Sequence, residues 1–501
     1  MSGNAKIVSG RVSIHALGAL ALVACVDPFA FDLKPVTPEP AEEEEVCAAS
    51  SDWLPMTPSL ALFKPQPHPD SECPFYRAAW QTFLLATQPS TESSEPALRS
   101  YPTLDDLFDS AKPHSKSRAW LGDIKQAGGR QILIDQNGHA IYYGIHVNQA
   151  FADFVDMNKL RTAQAIRDAD AKRFLPAGVA EFKSAWQEVD DADPSLATYI
   201  TTRTGVSHIA QVDGQIVEDR DNPRQTTLRL LALHVVFSLP GHPELIWATF
   251  EHSDGAPDLT AADGKRNVAP IHPGATNPAL TDPNNLNDTS VVSEDDYLLF
   301  KGGTTANAGN HAIPETGLQF DETSQAFPGQ ETSVYRMFPA SKSNTIHPDD
   351  AITSLNFNMQ TLFTRAEAAG QLGPQDRRSH YRLVGAVWMD KPEYFKGGAA
   401  LQNDKSSPFV DEANFAQDIQ ENGSDSEFSI LAGEDRLSST AMESFTQAPD
   451  SFANCFSCHN TQAVTAKGIP LDRDSQGMQL LPPKLLNVSH VFSQFLLDES
   501  Q

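Results

Sequence analysis

The chain has 501 residues, enough for two or three domains with ample core. Hydrophobic residues at 40% and charged residues at 20% are the proportions of an ordinary globular protein. A formal charge of −28 argues against nucleic acid and anionic membrane surfaces as partners, and a protein that docks here is expected to be basic at its docking surface.

In chain order, residues 1–24 read as a targeting segment that does not belong to the fold. Lys6 and Arg11 form a thin basic region, and 12–24 is an apolar run too short to span a bilayer as a helix. The run ends in Leu22-Val23-Ala24-Cys25, which resembles the bacterial lipoprotein cleavage box. The resemblance implies export and a lipid on Cys25; an ordinary secretory signal is the competing reading. Residues 25–72, rich in proline and carrying the acidic run Glu42, Glu43, Glu44 and Glu45, read as a tether.

A body over 73–430 follows, with a mixed α+β class expected from the alternation of periods. Pro74 suits a first helical turn, and Phe75, Ala79, Trp80, Phe83 and Leu84 recur at helical spacing. Two strands around Asn137-Gly138 form the strongest short hairpin signal, over 131–135 and 139–147. Helical spacing returns at Phe151, Phe154 and Val155, and again at Phe182, Trp186 and Val189. Stretches 228–237 and 244–252 read as buried strands around Pro240-Gly241-His242-Pro243. With His234, His242, His252, Glu244 and Glu251 they hold the densest polar cluster before the C-terminal region, each histidine read as a satisfied core residue. Residues 253–330 read as long loops, with a lid over a pocket as one reading. Asp282, Asn284, Asn285, Asp288, Glu294 and Asp295 lack the spacing of a calcium loop. A further strand is expected over 381–388, and 390–435 is loop-like.

The specific chemistry lies in 431–501. Cys455-Phe456-Ser457-Cys458-His459 has the spacing of c-type haem attachment: two thiols reach the two porphyrin vinyls, and the adjacent histidine ligates the iron. A redox CxxC expects a thioredoxin-like setting, and a zinc site expects a second tight cluster. A short helix is expected near 438–445, and Leu481, Leu485, Val488, Phe492 and Phe495 form an apolar stripe at helical spacing. Motif and helix together resemble small c-type cytochromes over roughly the last 60 residues, within a large single-haem protein of the bacterial envelope "cytochrome c family" type. The resemblance implies a mostly helical C-terminal haem region, one covalent haem c and a periplasmic or envelope location. Met478, 19 residues after His459, stands where such proteins carry a second iron ligand, though at a short separation. A ligand from the body and an open iron are the alternatives. At about 100° per residue, His490 falls opposite the Leu485, Val488 and Phe492 stripe, and points away from the haem if that stripe faces it.

With Cys25 lipidated and Cys455 and Cys458 on haem, Cys47 and Cys73 remain to pair as a disulfide in an oxidising compartment. Two functions follow: electron transfer to a redox partner, or a haem enzyme of peroxidase or oxygenase type with body residues around an open iron face.

Overall fold

A computed structural model describes residues 47–54, 72–90, 95–111, 118–126, 131–259, 289–338, 351–389, 431–434, 437, 439–447, 455–461, 463–465 and 479–500. Val46–Gln501 forms one compact unit, whereas Met1–Glu45 is a separate unit outside the described residues. The leader, Cys25, Glu42 to Glu45, residues 260–288 with four of the acidic and amide residues considered for calcium, and Met478 therefore lie outside them.

The architecture is α+β. Seven antiparallel strands form one sheet: β1 (Ile141–Val147), β2 (Ala180–Val189), β3 (Thr201–Val212), β4 (Gln215–Leu239), β5 (His242–His252), β6 (Tyr381–Met389) and β7 (Leu431–Gly433). Their order is β1-β2-β4-β5-β6-β7, with β3 pairing the first half of β4. The turn between β4 and β5 is tighter than its sequence indicates. Leu239 pairs directly with His242, because Pro240 pre-sets its own φ and Gly241 takes a φ of 95° that a side chain would resist. The Asn-Gly hairpin also forms. Gly138 has φ 84°, and the Asp135 carboxylate accepts the backbone N–H groups of Asn137 and His139 at 2.7 and 2.8 Å. Its first arm, however, makes only isolated bridges before β1 begins.

The central strands are buried on both faces. One face packs Phe182, Trp186, Leu233, Val235, Phe237, Ile246 and Phe250 against α1 (Cys73–Ala86) and α5 (Ala351–Ala368). Phe83 stacks on Phe250 at 4.3 Å. Trp80 on α1 donates its indole N–H to Asn356 on α5 at 3.1 Å, and the Asn356 amide in turn donates to the Leu383 carbonyl of β6 at 2.8 Å. The other face receives α2 (Leu104–Leu107), α3 (Gln149–Met157), α4 (Ala163–Asp168) and the C-terminal stretch. Among the described residues no helix is long and apolar enough to cross a membrane.

Four expectations are corrected. Phe182, Trp186 and Val189 lie on strand β2, not on a helix: a four-residue spacing also satisfies period 2, and it is the pairing with β1 and β4 that decides. The helix expected near 438–445 is reduced to a 3-10 turn at Ser444–Thr446, because Ser439 accepts the Met442 N–H and holds the preceding backbone in a bend. The tether does not run unbroken to residue 72. Cys47, Trp53 and Leu54 are buried in the α1 core, and Arg77 lies over the Trp53 ring at 5.6 Å. Finally, the stretch from 431 is no separate domain: Phe456, Leu481, Leu485, Phe492 and Phe495 share a core with Val147, Val236, Trp247 and Val387 of the sheet. Among its described residues, α6 (Cys455–Cys458) and α7 (His490–Ser500) are joined by β8 (Val464–Thr465), β9 (Gln479–Leu481) and a 3-10 turn at Leu485–Val488.

Cys47 and Cys73 form a disulfide that ties the buried 47–54 segment to the start of α1 across a sequence separation of 26. Closing a loop of that length removes unfolded-state entropy worth about 3.5 kcal/mol. Reduction under native conditions is expected to lower the unfolding free energy by about that amount, read from urea midpoints. An unchanged midpoint after complete reduction would show that the segment is held by packing alone.

Candidate haem-attachment site

The motif folds as a single helical turn. Cys455 and Cys458 stand three residues apart and so on one side of α6, and the His459 N–H closes the turn on the Cys455 carbonyl at 2.8 Å. Neither cysteine is in a disulfide, and both are partly exposed. Burial of its surroundings, then the charges of Glu443 and Cys458, push the Cys455 thiol far above its ordinary range, so it stays a neutral thiol.

His459 is held on three sides. Its ring lies 3.9 Å from Trp247 of β5 and 3.6 Å from His490 of α7. Nδ1 lies 3.1 Å from the Val488 carbonyl, which can only accept, so Nδ1 carries the hydrogen. Burial first, then the neighbouring His490, hold the imidazole well below its usual range and therefore neutral. A neutral ring with its proton on Nδ1 presents a bare lone pair at Nε2, the tautomer and orientation that metal-ligating histidines take from a backbone acceptor.

The Val488 carbonyl is itself fixed. Lys484 is buried and donates to the carbonyls of Ile166, Arg167 and Ala169 at 2.8, 3.0 and 3.2 Å, filling the C-terminal end of α4, where unpaired carbonyls and the helix dipole favour a cation. Leu485 N–H adds a bond to the Ala171 carbonyl. On the far side, Phe492 and Phe495 of α7 pack on Phe108 and Phe151.

The apolar stripe thus faces the body, and the side of α7 that carries His490 faces the motif. His490 stacks on His459, and its Nε2 donates to the Cys458 carbonyl at 3.1 Å: it lies opposite the stripe as projected, but the stripe is the side turned away from the motif.

Beside the motif the sheet carries polar side chains that sequence reading noted only in part. His234 bonds Glu443 through Nε2 at 3.0 Å and Thr249 through Nδ1 at 2.7 Å; Lys183 lies 3.9 Å from Glu443. Glu181 bonds the Ser489 hydroxyl. The other two histidines of the dense cluster are satisfied, His242 on Glu244 at 2.8 Å and His252 between the Thr198 carbonyl and the Asp254 N–H, each at 3.1 Å. The density of His and Glu over 228–252 was the signal for His234; Lys183, Glu181 and Glu443 gave none, since their partners lie 209 to 308 residues away in sequence.

Among the described residues no group of three or more His, Cys, Asp or Glu side chains is placed to hold a metal ion by itself. The donor set fits a haem, which brings four of its iron ligands with it and asks the chain for two thiols and one neutral imidazole. No family model, no curated protein and no solved structure matches this chain.

Glu181, under Ser489, tests how the C-terminal stretch is seated. Burial raises its carboxyl from 4.5 to about 7, partly offset by the Ser489 bond. The folded state therefore favours the protonated form, and the stability it contributes is full below pH 4.5 and lost as pH rises through about 7. At roughly 1.4 kcal/mol per pKa unit the loss is a little over 3 kcal/mol. Glu181→Gln is expected to remove it, so that urea midpoints at pH 5 and pH 8 converge relative to wild type; an equal pH dependence in both proteins would contradict a buried, protonated Glu181.

Proposed function

We propose that this chain is a covalent c-type haem protein of the bacterial cell envelope that passes single electrons to a redox partner. The observation that carries the reading is the motif itself: two thiols on one helical turn, followed by a histidine whose Nδ1 is committed to Val488 and whose Nε2 is left for iron. Cys455 and Cys458 would hold the porphyrin through thioethers and His459 would ligate the iron, the bound haem supplying reversible one-electron chemistry. The chain's part is orientation and exclusion. Trp247 and His490 fix the imidazole plane, Val488 fixes its tautomer, and buried Phe456 closes the space beneath the turn.

In this reading 431–501 is the haem-binding region, built onto the sheet, with Met478 the first candidate for the second iron ligand. Residues 1–24 are removed on export and Cys25 carries the lipid, the only membrane contact. The redox partner presents a basic surface to this acidic chain, and nucleic acid is no partner. A haem enzyme of peroxidase or oxygenase type is the second reading. The observation favouring it is the partly exposed row of Lys183, His234 and Glu443 beside the motif, groups able to hold and move protons.

Haem staining of a denaturing gel tests the attachment. Wild type is expected to stain, and Cys455→Ala to lose most of the stain; full-strength stain in the variant would refute the assignment. The optical spectrum of the reduced protein with carbon monoxide separates the two functions. An unshifted Soret band is expected for electron transfer, and a shifted band would favour the enzyme. In the first case Met478→Ala is expected to change the spectrum, and no change would place the second ligand in the body.

A further inference from the structure

We propose that His234 and Glu443 form a proton-transfer site that works with the haem held at Cys455, Cys458 and His459, binding a proton when an electron enters and releasing it when the electron leaves. The inference rests on the haem reading above, and three observations on the chain's own residues lead to it.

The first is placement. Ile145, Lys183, His234, Thr249 and Gly385 are register partners in one line across β1, β2, β4, β5 and β6. The neighbouring line, with Val147, Glu181, Val236, Trp247 and Val387, is buried beneath the C-terminal stretch. Yet Lys183 keeps 20% of its side chain exposed, and His234 and Glu443 keep 14% each. Solvent thus reaches the middle of the sheet beside the motif, which a proton requires.

The second is the partner set of His234. Its Nε2 faces a carboxylate, an obligate acceptor, and so carries hydrogen in either charge state. Its Nδ1 faces the Thr249 hydroxyl at 2.7 Å, which can donate to a neutral ring or accept from a charged one. A proton can therefore be added at Nδ1 by rotating one hydroxyl, with no heavy atom moved and no hydrogen bond lost. His252 is the contrast: its Nδ1 accepts an N–H from Asp254, so protonation would set two donors face to face. His146, on the α1 side of the sheet, has no partner at either nitrogen, and burial pushes it down to about 3.

The third is charge. With His234 neutral, the Glu443 carboxylate and the Lys183 ammonium cancel. The charges of Lys183 and His234 are felt at His459 and that of Glu443 at Cys455, so the cluster and the motif share one electrostatic environment. The other titratable groups facing the pair are Asp123 and Tyr143 from the β1 side and His490 from α7. One electron from an external one-electron donor protein leaves this environment short of a positive charge. One proton from solvent restores it by forming a single N–H bond at His234 Nδ1, and the imidazolium then lies between the carboxylate and the hydroxyl. Oxidation reverses both transfers.

Spectroelectrochemical titration of the haem-loaded full chain from about pH 5 to 8, where imidazoles change charge, tests this. One proton per electron shifts the reduced-to-oxidised ratio at fixed potential about tenfold per pH unit where uptake is complete, and wild type is expected to approach that slope within the window. His234→Gln is expected to flatten it. Glu443→Gln is expected to move the sloping window to lower pH, since the imidazolium loses its carboxylate. A flat wild-type response, which needs no variant, would overturn the proposal, as would an unaltered slope in His234→Gln with haem still attached. A chain that fails to stain for haem would instead overturn the reading beneath it, and the inference with it.

Discussion

The hydrogen bonds that Glu181, His234 and Glu251 make to Ser489, Glu443 and Thr440 hold the C-terminal stretch on the sheet. A carboxylate or imidazole in the middle of a sheet face is costly without a partner, on the order of 1–3 kcal/mol for each unsatisfied group and more for a charge. The strands β2, β4 and β5 therefore need these last sixty residues to complete their own chemistry. Glu251 shows how far the requirement extends. It also pairs with the buried Arg336, which bonds Asp258, and Asp258 accepts from Arg382 at 2.8 Å. One acidic position on β5 thus gathers the loop after it, a distant loop, β6 and the segment leading to the motif.

This arrangement explains why the motif region and the body are one unit. In the haem reading proposed above, the sheet would take the role that surrounding helices play in a small cytochrome. Trp247 of β5 packs on His459, Lys484 reaches into the end of α4, and the aromatic side of α7 is spent on Phe108 and Phe151. Seating the stretch this way dictates which side of α7 meets the motif, and His490 is placed there as a result.

Much of the sheet was legible in the sequence. The runs 228–237, 244–252 and 381–388 announce strands by apolar content and punctuation, and the Asn-Gly and Pro-Gly turns are local chemistry. The Cys455 to His459 spacing that carries the proposal is likewise local, and it folds as a single helical turn. What failed needed information from elsewhere in the chain. The four-residue interval from Phe182 to Trp186 satisfies helix and strand alike until β1 and β4 pair with it. The orientation of His490 depends on what the apolar stripe packs against, which is the body. The roles of Glu181, Lys183 and Glu443 depend on partners far away in sequence, which no local pattern encodes. The apolar stripe at Leu481, Leu485, Val488, Phe492 and Phe495 does not announce what it faces, and only the fold shows that it is the contact with the body.

The two faces of the sheet are written into one alternation that the apolar density conceals. On β4 the α1 side takes Leu233, Val235 and Phe237, and the other takes Ala232, His234 and Val236; on β5 the division is Ile246, Ala248 and Phe250 against Trp247, Thr249 and Glu251. The first set is uniformly apolar, bulky except at Ala248, and closes over α1 and α5. The second mixes small residues with polar ones, and Ala185 on β2 and Gly385 on β6 continue the low ground on either side. Ala441 and Met442 fill part of that space, with the Ala441 carbonyl accepting from Tyr143 at 2.7 Å and Gln126 at 3.1 Å. Where this cover ends, Lys183, His234 and Thr249 are neither buried outright nor free on the surface. A titratable group in that position keeps contact with water while sharing the low dielectric of the motif, and those two properties together allow a charge on one to be felt by the other.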